Sequence, residues 1–381
     1  MQIRPKESAG LCKKVFVPAL INWSVIMRIS RLGVLAVVVV MVSLGSGCSF
    51  YNRVMARKNL VDGAKAYKDR KFPEAEERFR YAASLDPEGE TLEGRTAQLS
   101  LARTLHSEYI GNRSDKEKAQ AAIDAYKVSL PQYLKDLKET EAAYNANPAS
   151  EDAQKMYFNS LSSVNSTASA IASLYDNIQQ PEKAQAWLEQ VAKDQSYPPT
   201  ARARALSALA AKQNTCANDI ADTPNTKKTA TVDGKQVYQY VKPADAAQFT
   251  KLQQCTTDGM ALIDQAMALE PQSVKNAASL KPDTMSDVDL ALTSEVLKIF
   301  QSVRSYKASL INQQVRIAEM NGDNAGRDKL KAEYETAKTA LNDLGDMVQK
   351  IDDVIQARAA AKEAAEAANA ANANGTANAN K

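Results

Sequence analysis

Along this chain, small and large apolar residues recur at fixed steps on what must be helices. Ala75, Phe79 and Ala82, followed by Pro87, form the first instance, within KAYKDRKFPEAEERFRYAASLDP. Ala119, Ile123, Tyr126 and Pro131 repeat its steps of four, three and five, as do Gly259, Ile263, Ala266 and Pro271. Ala184, Leu188 and Val191 keep the first two steps, with Ser196 in the proline's place. Steps of four and three put three side chains on one helical stripe, and a proline beyond them is expected to stop the helix. The small residues let a neighbouring helix approach closely while the large one fills the gap. One short unit cannot bury such a face by itself, so the recurrence calls for stacked helix pairs.

The stripe resembles the second helix of the tetratricopeptide repeat, a helix–turn–helix unit of about 34 residues. In that family the first helix carries a small residue twelve positions before the alanine and often an aromatic nine before it. Gly63 stands at twelve in the first unit, with Tyr67 at eight, and Ala172 and Tyr175 hold both positions in the third. Phe72 matches the aromatic at the turn. The similarity covers residues 57–131 and 165–196 and reaches residue 271 more weakly. It implies an all-α fold, a superhelical stack of antiparallel helix pairs whose first helices line a concave, peptide-binding face. Carried onto this chain, the lining positions are Arg57, Leu60, Ala64, Tyr67 and Lys68, then Ser166, Ser169, Ser173, Asp176 and Asn177. The first set offers an aromatic anchor beside two cations, the second small polar groups suited to a peptide backbone.

The spacing departs from a regular repeat, since Pro87 and Pro131 lie 44 residues apart. An extra helix is expected over about 131–145, before NANPASED, where Ser150 can cap the next helix ahead of Glu151 and Asp152. Repeat-like residues thus run over 48–196, and a degenerate unit over 197–283. A long helix pair broken at NGDN follows over 284–362, and the Ala/Asn-rich tail 363–381 is expected to fray. Glycine and proline number only 14 and 13 in 381 residues, which leaves few places to break a helix.

The fourth unit is interrupted by KKTATVDGKQVYQYVKP, two β-rich runs around Asp233-Gly234, the pair favoured by a tight hairpin turn. Such a hairpin is marginal alone. Cys216 and Cys255 bracket it on the flanking helices and are expected to pair as a disulfide in an exported protein.

Export is what the front end indicates. Residues 27–48 read MRISRLGVLAVVVVMVSLGSGC, with Arg28 and Arg31 ahead of a 13-residue apolar run from Leu32 to Leu44. A bilayer-spanning helix needs about 20 such residues, so the run fits a signal peptide over 1–47. Leu44, Ser46, Gly47 and Cys48 resemble the lipobox of bacterial lipoproteins, although the large apolar residue sits four positions before the cysteine rather than three. The resemblance implies a diacylglyceryl group on Cys48 and several acyl chains in all, enough for stable anchoring. Ser49 in place of aspartate favours the periplasmic face of the outer membrane in such proteins. Met27 begins a complete signal by itself, so residues 1–26, with Cys12, read as a mis-assigned start.

Charge and chemistry point away from several functions. The first 47 residues carry six Lys/Arg and one acid, leaving 42 basic against 44 acidic residues in the remainder. That remainder has no basic stripe for nucleic acid. One histidine, His106, makes a Ser–His–Asp triad or a histidine-rich metal site improbable. No phosphate loop, nucleophile elbow or zinc spacing occurs. The expectation is a non-enzymatic, cofactor-free, metal-free lipoprotein of the cell envelope that binds a protein or peptide. The alternative is an accessory subunit or cryptic enzyme of envelope biogenesis.

Overall fold

A computed structural model describes residues 31–232 and 234–379. The upstream stretch 1–26 lies outside them, as do the Cys48 side chain and the turn residue Asp233. Helix accounts for 82% of the structure, which makes this an all-α protein, with one two-stranded sheet among the described residues. The chain divides into two compact units, Met1–Ser129 and Leu130–Lys381.

The first unit contains α1 (Arg31–Lys68), α2 (Phe72–Ser84), α3 (Leu92–Gly111) and the start of α4 (Lys116–Ala146). The apolar run 32–44 is continuous in backbone with the rest of α1. Among the described residues no helix is long and apolar enough to cross a membrane. Ala75, Phe79 and Ala82 are all buried, so the stripe faces inward as its spacing requires. Gly63 is needed for this approach, because a Cβ there would stand 2.8 Å from a Phe79 ring carbon. After Pro87, the Asp86 carboxylate accepts hydrogen bonds from the Thr91 hydroxyl and the Thr91 and Glu90 amides. Thr91 in turn caps α3 by accepting from the Gly94 amide. Ala119, Ile123 and Tyr126 on α4 are buried in the same manner.

Pro131 does not end a helix, and the extra helix expected over 131–145 is the second half of α4. An interior proline removes the donor that would serve the Lys127 carbonyl within the helix, at a cost of about 3 kcal/mol. Tyr126, Ser129, Leu130 and Leu137 are buried around it, and each large apolar side chain contributes about 1.5–3 kcal/mol. The Ser129 hydroxyl also donates to the Tyr126 carbonyl at 2.9 Å. Burial outweighs the lost bond, so the helix continues.

The second unit holds the rest of α4 with α5 (Glu151–Asn177), α6 (Pro181–Lys193) and α7 (Pro199–Ala221). A hairpin, β1 (Lys227–Val232) and β2 (Lys235–Tyr240), leads to α8 (Ala246–Ala268) and the one-turn α9 (Gln272–Lys275). Two 3-10 turns then precede α10 (Asp287–Met320) and α11 (Asn324–Ala379). Ser150 caps α5 by accepting from the Ala153 amide. Ala184, Leu188 and Val191 are buried, as are Ile263 and Ala266. Gly259 lets α8 close on α10, since a Cβ there would meet Leu310 at 2.7 Å. Leu290, Leu297, Phe300, Val303 and Leu310 give α10 a buried face along its length, against α5, α7, α8 and α11. The backbone of α11 runs through the Ala/Asn-rich residues to Ala379, as alanine's helix propensity and the absence of proline allow.

Three helix-to-helix turns share one geometry that the sequence does not advertise. Arg70, Gln179 and Gly322 each adopt a positive φ, near 59°, 64° and 71°. The next amide then reaches back five residues, Lys71 to Ala66, Gln180 to Tyr175 and Asp323 to Ala318, each at 2.9 Å. This is the left-handed C-cap that satisfies the last carbonyls of a helix and reverses the chain. At Arg70 and Gln179 a side chain bears the cost that glycine avoids.

Candidate partner-binding cleft

In the first unit the predicted lining residues do not form an open anchor site. Arg57, Ala64 and Lys68 are exposed, but Leu60 is half-buried against Ala56, Ala82 and Ala97. Tyr67 is 37% exposed and already engaged. Its ring meets Phe72 edge-on at 5.4 Å, and its hydroxyl lies 2.9 Å from the Ser107 hydroxyl of α3. Tyr67 therefore ties α1 to α3, so the aromatic anchor expected from the sequence is in large part a packing residue.

Beside it lie two polar clusters that hold helices together. Lys118 of α4 bridges Glu76 of α2 and Glu108 of α3 at 2.5 and 2.6 Å. Burial raises the Glu108 pKa, helped by the Glu76 charge, and Glu76 stays low because Arg80 and Lys118 outweigh its own burial. His106 sets its Nδ1 3.3 Å from the Tyr126 hydroxyl. Burial lowers the pKa of His106 and pushes that of Tyr126 up to about 12. A histidine depressed in the fold resists a proton that the unfolded chain accepts below pH of about 6.5. Stability is then fully present above that pH and falls as pH drops. His106 is the one histidine of the chain, and Glu108 nearby has a raised pKa of its own, so a His106 variant is needed to separate the two. Hydrogen-exchange protection of α3 and α4 should decrease between pH 7 and 5.5, and His106→Gln should flatten that dependence.

In the second unit four of the five predicted α5 residues come together. Ser169, Ser173, Asp176 and Asn177 line a cleft of about 640 Å³ between α5, α7 and α10, whereas exposed Ser166 stands outside it. Its floor is made of small residues, among them Ala172, Ala205 and Ala208, so backbones approach closely and leave room above. Lys212 pairs with Asp176 at 2.8 Å, and Lys298 with Asp352 at 2.9 Å. Arg204 lies at 3.5 Å from the Ser169 hydroxyl and 4.0 Å from Glu295, whose carboxylate instead takes a 2.9 Å bond from Asn165. Burial lowers the Arg204 pKa, yet a guanidinium remains charged. Tyr306 supplies the aromatic surface. The lining thus combines a narrow floor, hydroxyls and amides for backbone contacts, and cations at the walls. Arg204, Lys212, Lys298 and Tyr306 carry no motif. Only the spacing of Arg204, Ala208 and Lys212 on one face of α7 hints at their grouping.

The hairpin sits apart from this cleft. Val232 pairs with Lys235, so the turn is the two-residue kind expected, with Gly234 at φ 76°. Cys216 and Cys255 stand at disulfide distance, with Cα atoms 6.1 Å apart. They join a small core of Ala217, Ala221, Leu252 and Met320, against which Tyr240 packs. The Glu319 carboxylate of α10 accepts from the Tyr240 amide at 2.9 Å, and Arg316 covers the Tyr240 ring at 4.7 Å. The hairpin is therefore fastened to α10 as well as bracketed by α7 and α8.

Among the described residues no group of three His, Cys, Asp or Glu side chains is placed to hold a metal ion. No family model matches the chain, and no curated protein matches it.

Proposed function

We propose that this chain is a lipid-anchored, tetratricopeptide-like lipoprotein of the bacterial cell envelope that works by binding another protein. The cleft between α5, α7 and α10 carries the proposal. Three helices that each open a helix pair converge there, as the first helices of stacked repeats do on a concave face. Their exposed groups are hydroxyls, an amide and cations, with the Asp176 carboxylate already paired to Lys212. The shared left-handed turns after α1, α5 and α10 support the same repeated-pair architecture. The anchor rests on Arg28 to Cys48 and on the lipoprotein resemblance of its last residues.

A photo-crosslinking residue placed at Asn177 of the cleft should trap a discrete partner in intact cells, and one at Lys116 should not. Filling the cleft with Ser173→Trp should abolish that adduct while circular dichroism stays unchanged. An adduct that survives the filled cleft places binding elsewhere and overturns the assignment. In the same cells Cys48→Ala should leave an unprocessed precursor, whereas unchanged processing and detergent partitioning would remove the anchor from the proposal.

A further inference from the structure

A second hollow in the C-terminal unit, of about 430 Å³, shares no lining residue with the cleft. Tyr144 of α4 and Tyr157 of α5 stack there with planes 1° from parallel and centroids 5.1 Å apart. Pro198 ahead of α7, Pro271 after α8 and Leu292 of α10 complete an apolar wall. Glu141 and Asp289 also line the hollow, and among the described residues no Lys or Arg does. Burial, then the charge of Glu141, pushes the Tyr157 pKa up to about 12, so its phenol is neutral at physiological pH.

We infer that this hollow docks a cationic, proline-containing segment of a partner protein. Charge decides against an acidic occupant, because each ionised group in the lining is negative. At about 430 Å³ the hollow takes only a few residues of any occupant, so the rigidity of that short stretch matters. A fixed aromatic stack flanked by proline rings presents flat, rigid apolar faces. Proline-rich segments meet such faces in the polyproline II form, which is preformed and therefore loses little entropy on binding. An arginine in the same segment can lie over a tyrosine face while its guanidinium meets Glu141 or Asp289. The inference goes beyond the α5–α7–α10 cleft, so either site can fail without the other.

The full chain can be titrated calorimetrically with three capped decapeptides. The first is Arg-Pro-Leu-Pro-Pro-Leu-Pro-Arg-Pro-Leu, the second has every proline replaced by alanine, and the third has both arginines replaced by glutamate. The first should bind, the second should be weaker by about fivefold from lost preorganisation, and the third by about tenfold from reversed charge. Tyr144→Ala should weaken the first peptide by about tenfold or more. Glu141→Lys, at an exposed helical position that leaves packing intact, should reduce binding of the first peptide and improve that of the third. No binding of the first peptide, equal binding of all three, or indifference to Glu141→Lys would overturn the assignment. Competition by the first peptide for the Asn177 adduct would also overturn it, since that places the peptide in the other cleft.

Discussion

Replacing Cys216 and Cys255 together by alanine is expected to destabilise the C-terminal unit by about 4 kcal/mol. The two residues are 39 apart in sequence, and a cross-link of that span removes about this much loop-closure entropy from the unfolded chain. Alanine is the informative replacement, because Cys255 is 6% exposed and serine would add the separate cost of a buried hydroxyl. The loss should be local at first. Ala217, Ala221, Leu252 and Met320 still form a core, and the hairpin keeps the Thr226 hydroxyl at the Ile220 and Ala221 carbonyls, the Lys227–Asp222 pair, Glu319 at the Tyr240 amide and the Tyr240 ring under Arg316. A two-stranded ribbon is marginal alone, so without the cross-link it should open more often. Hydrogen exchange should accelerate first in β1 and β2, then in the C-terminal turn of α7, with no change in α1 to α3. A denaturation midpoint that is the same for the variant and for unreduced wild type would contradict the prediction. So would labelling of both thiols in unreduced protein from the envelope.

What sequence reasoning could see in this protein was local. Ala75, Phe79 and Ala82 announce a buried helical stripe because 3.6 residues per turn is a property of the backbone, independent of what lies opposite. The hairpin register follows similarly from Asp233-Gly234, and the cysteine pairing from the two helices that the hairpin joins. The fate of Tyr67 was not legible, since its partner Ser107 lies forty residues away on another helix. Nor was the cation wall of the cleft, because Lys298 reaches it only through the way α10 packs beside α5 and α7. The left-handed turns at Arg70 and Gln179 were hidden for a different reason. Residues with side chains are rare at positive φ, and only the carbonyls they satisfy explain why they are tolerated. Pro131 was misleading because its local signal was correct as a tendency and lost to burial.

That conflict gives the second large effect. Pro131→Ala should stabilise α4, which is unusual for a substitution inside a helix. Alanine restores an amide that can donate to the Lys127 carbonyl and removes the ring that crowds it, a difference of about 3 kcal/mol in a helix interior. Against this, the unfolded chain regains freedom that proline denied it, which returns about 0.4–1 kcal/mol. The net gain should be about 2 kcal/mol. It should be confined to α4, because the Pro131 side chain is exposed and fills no core. Leu130 next to it is 4% exposed, so Leu130→Ala should instead cost about 2–5 kcal/mol. Opposite signs at adjacent positions separate the backbone effect from a general sensitivity of this segment. Because the chain has two compact units and one melting temperature need not describe both, the measurement should be amide protection over residues 124–138. Should protection there be unchanged or reduced in Pro131→Ala, then the bond is not recovered. The helix would in that case depend on the proline's own geometry, not survive in spite of it.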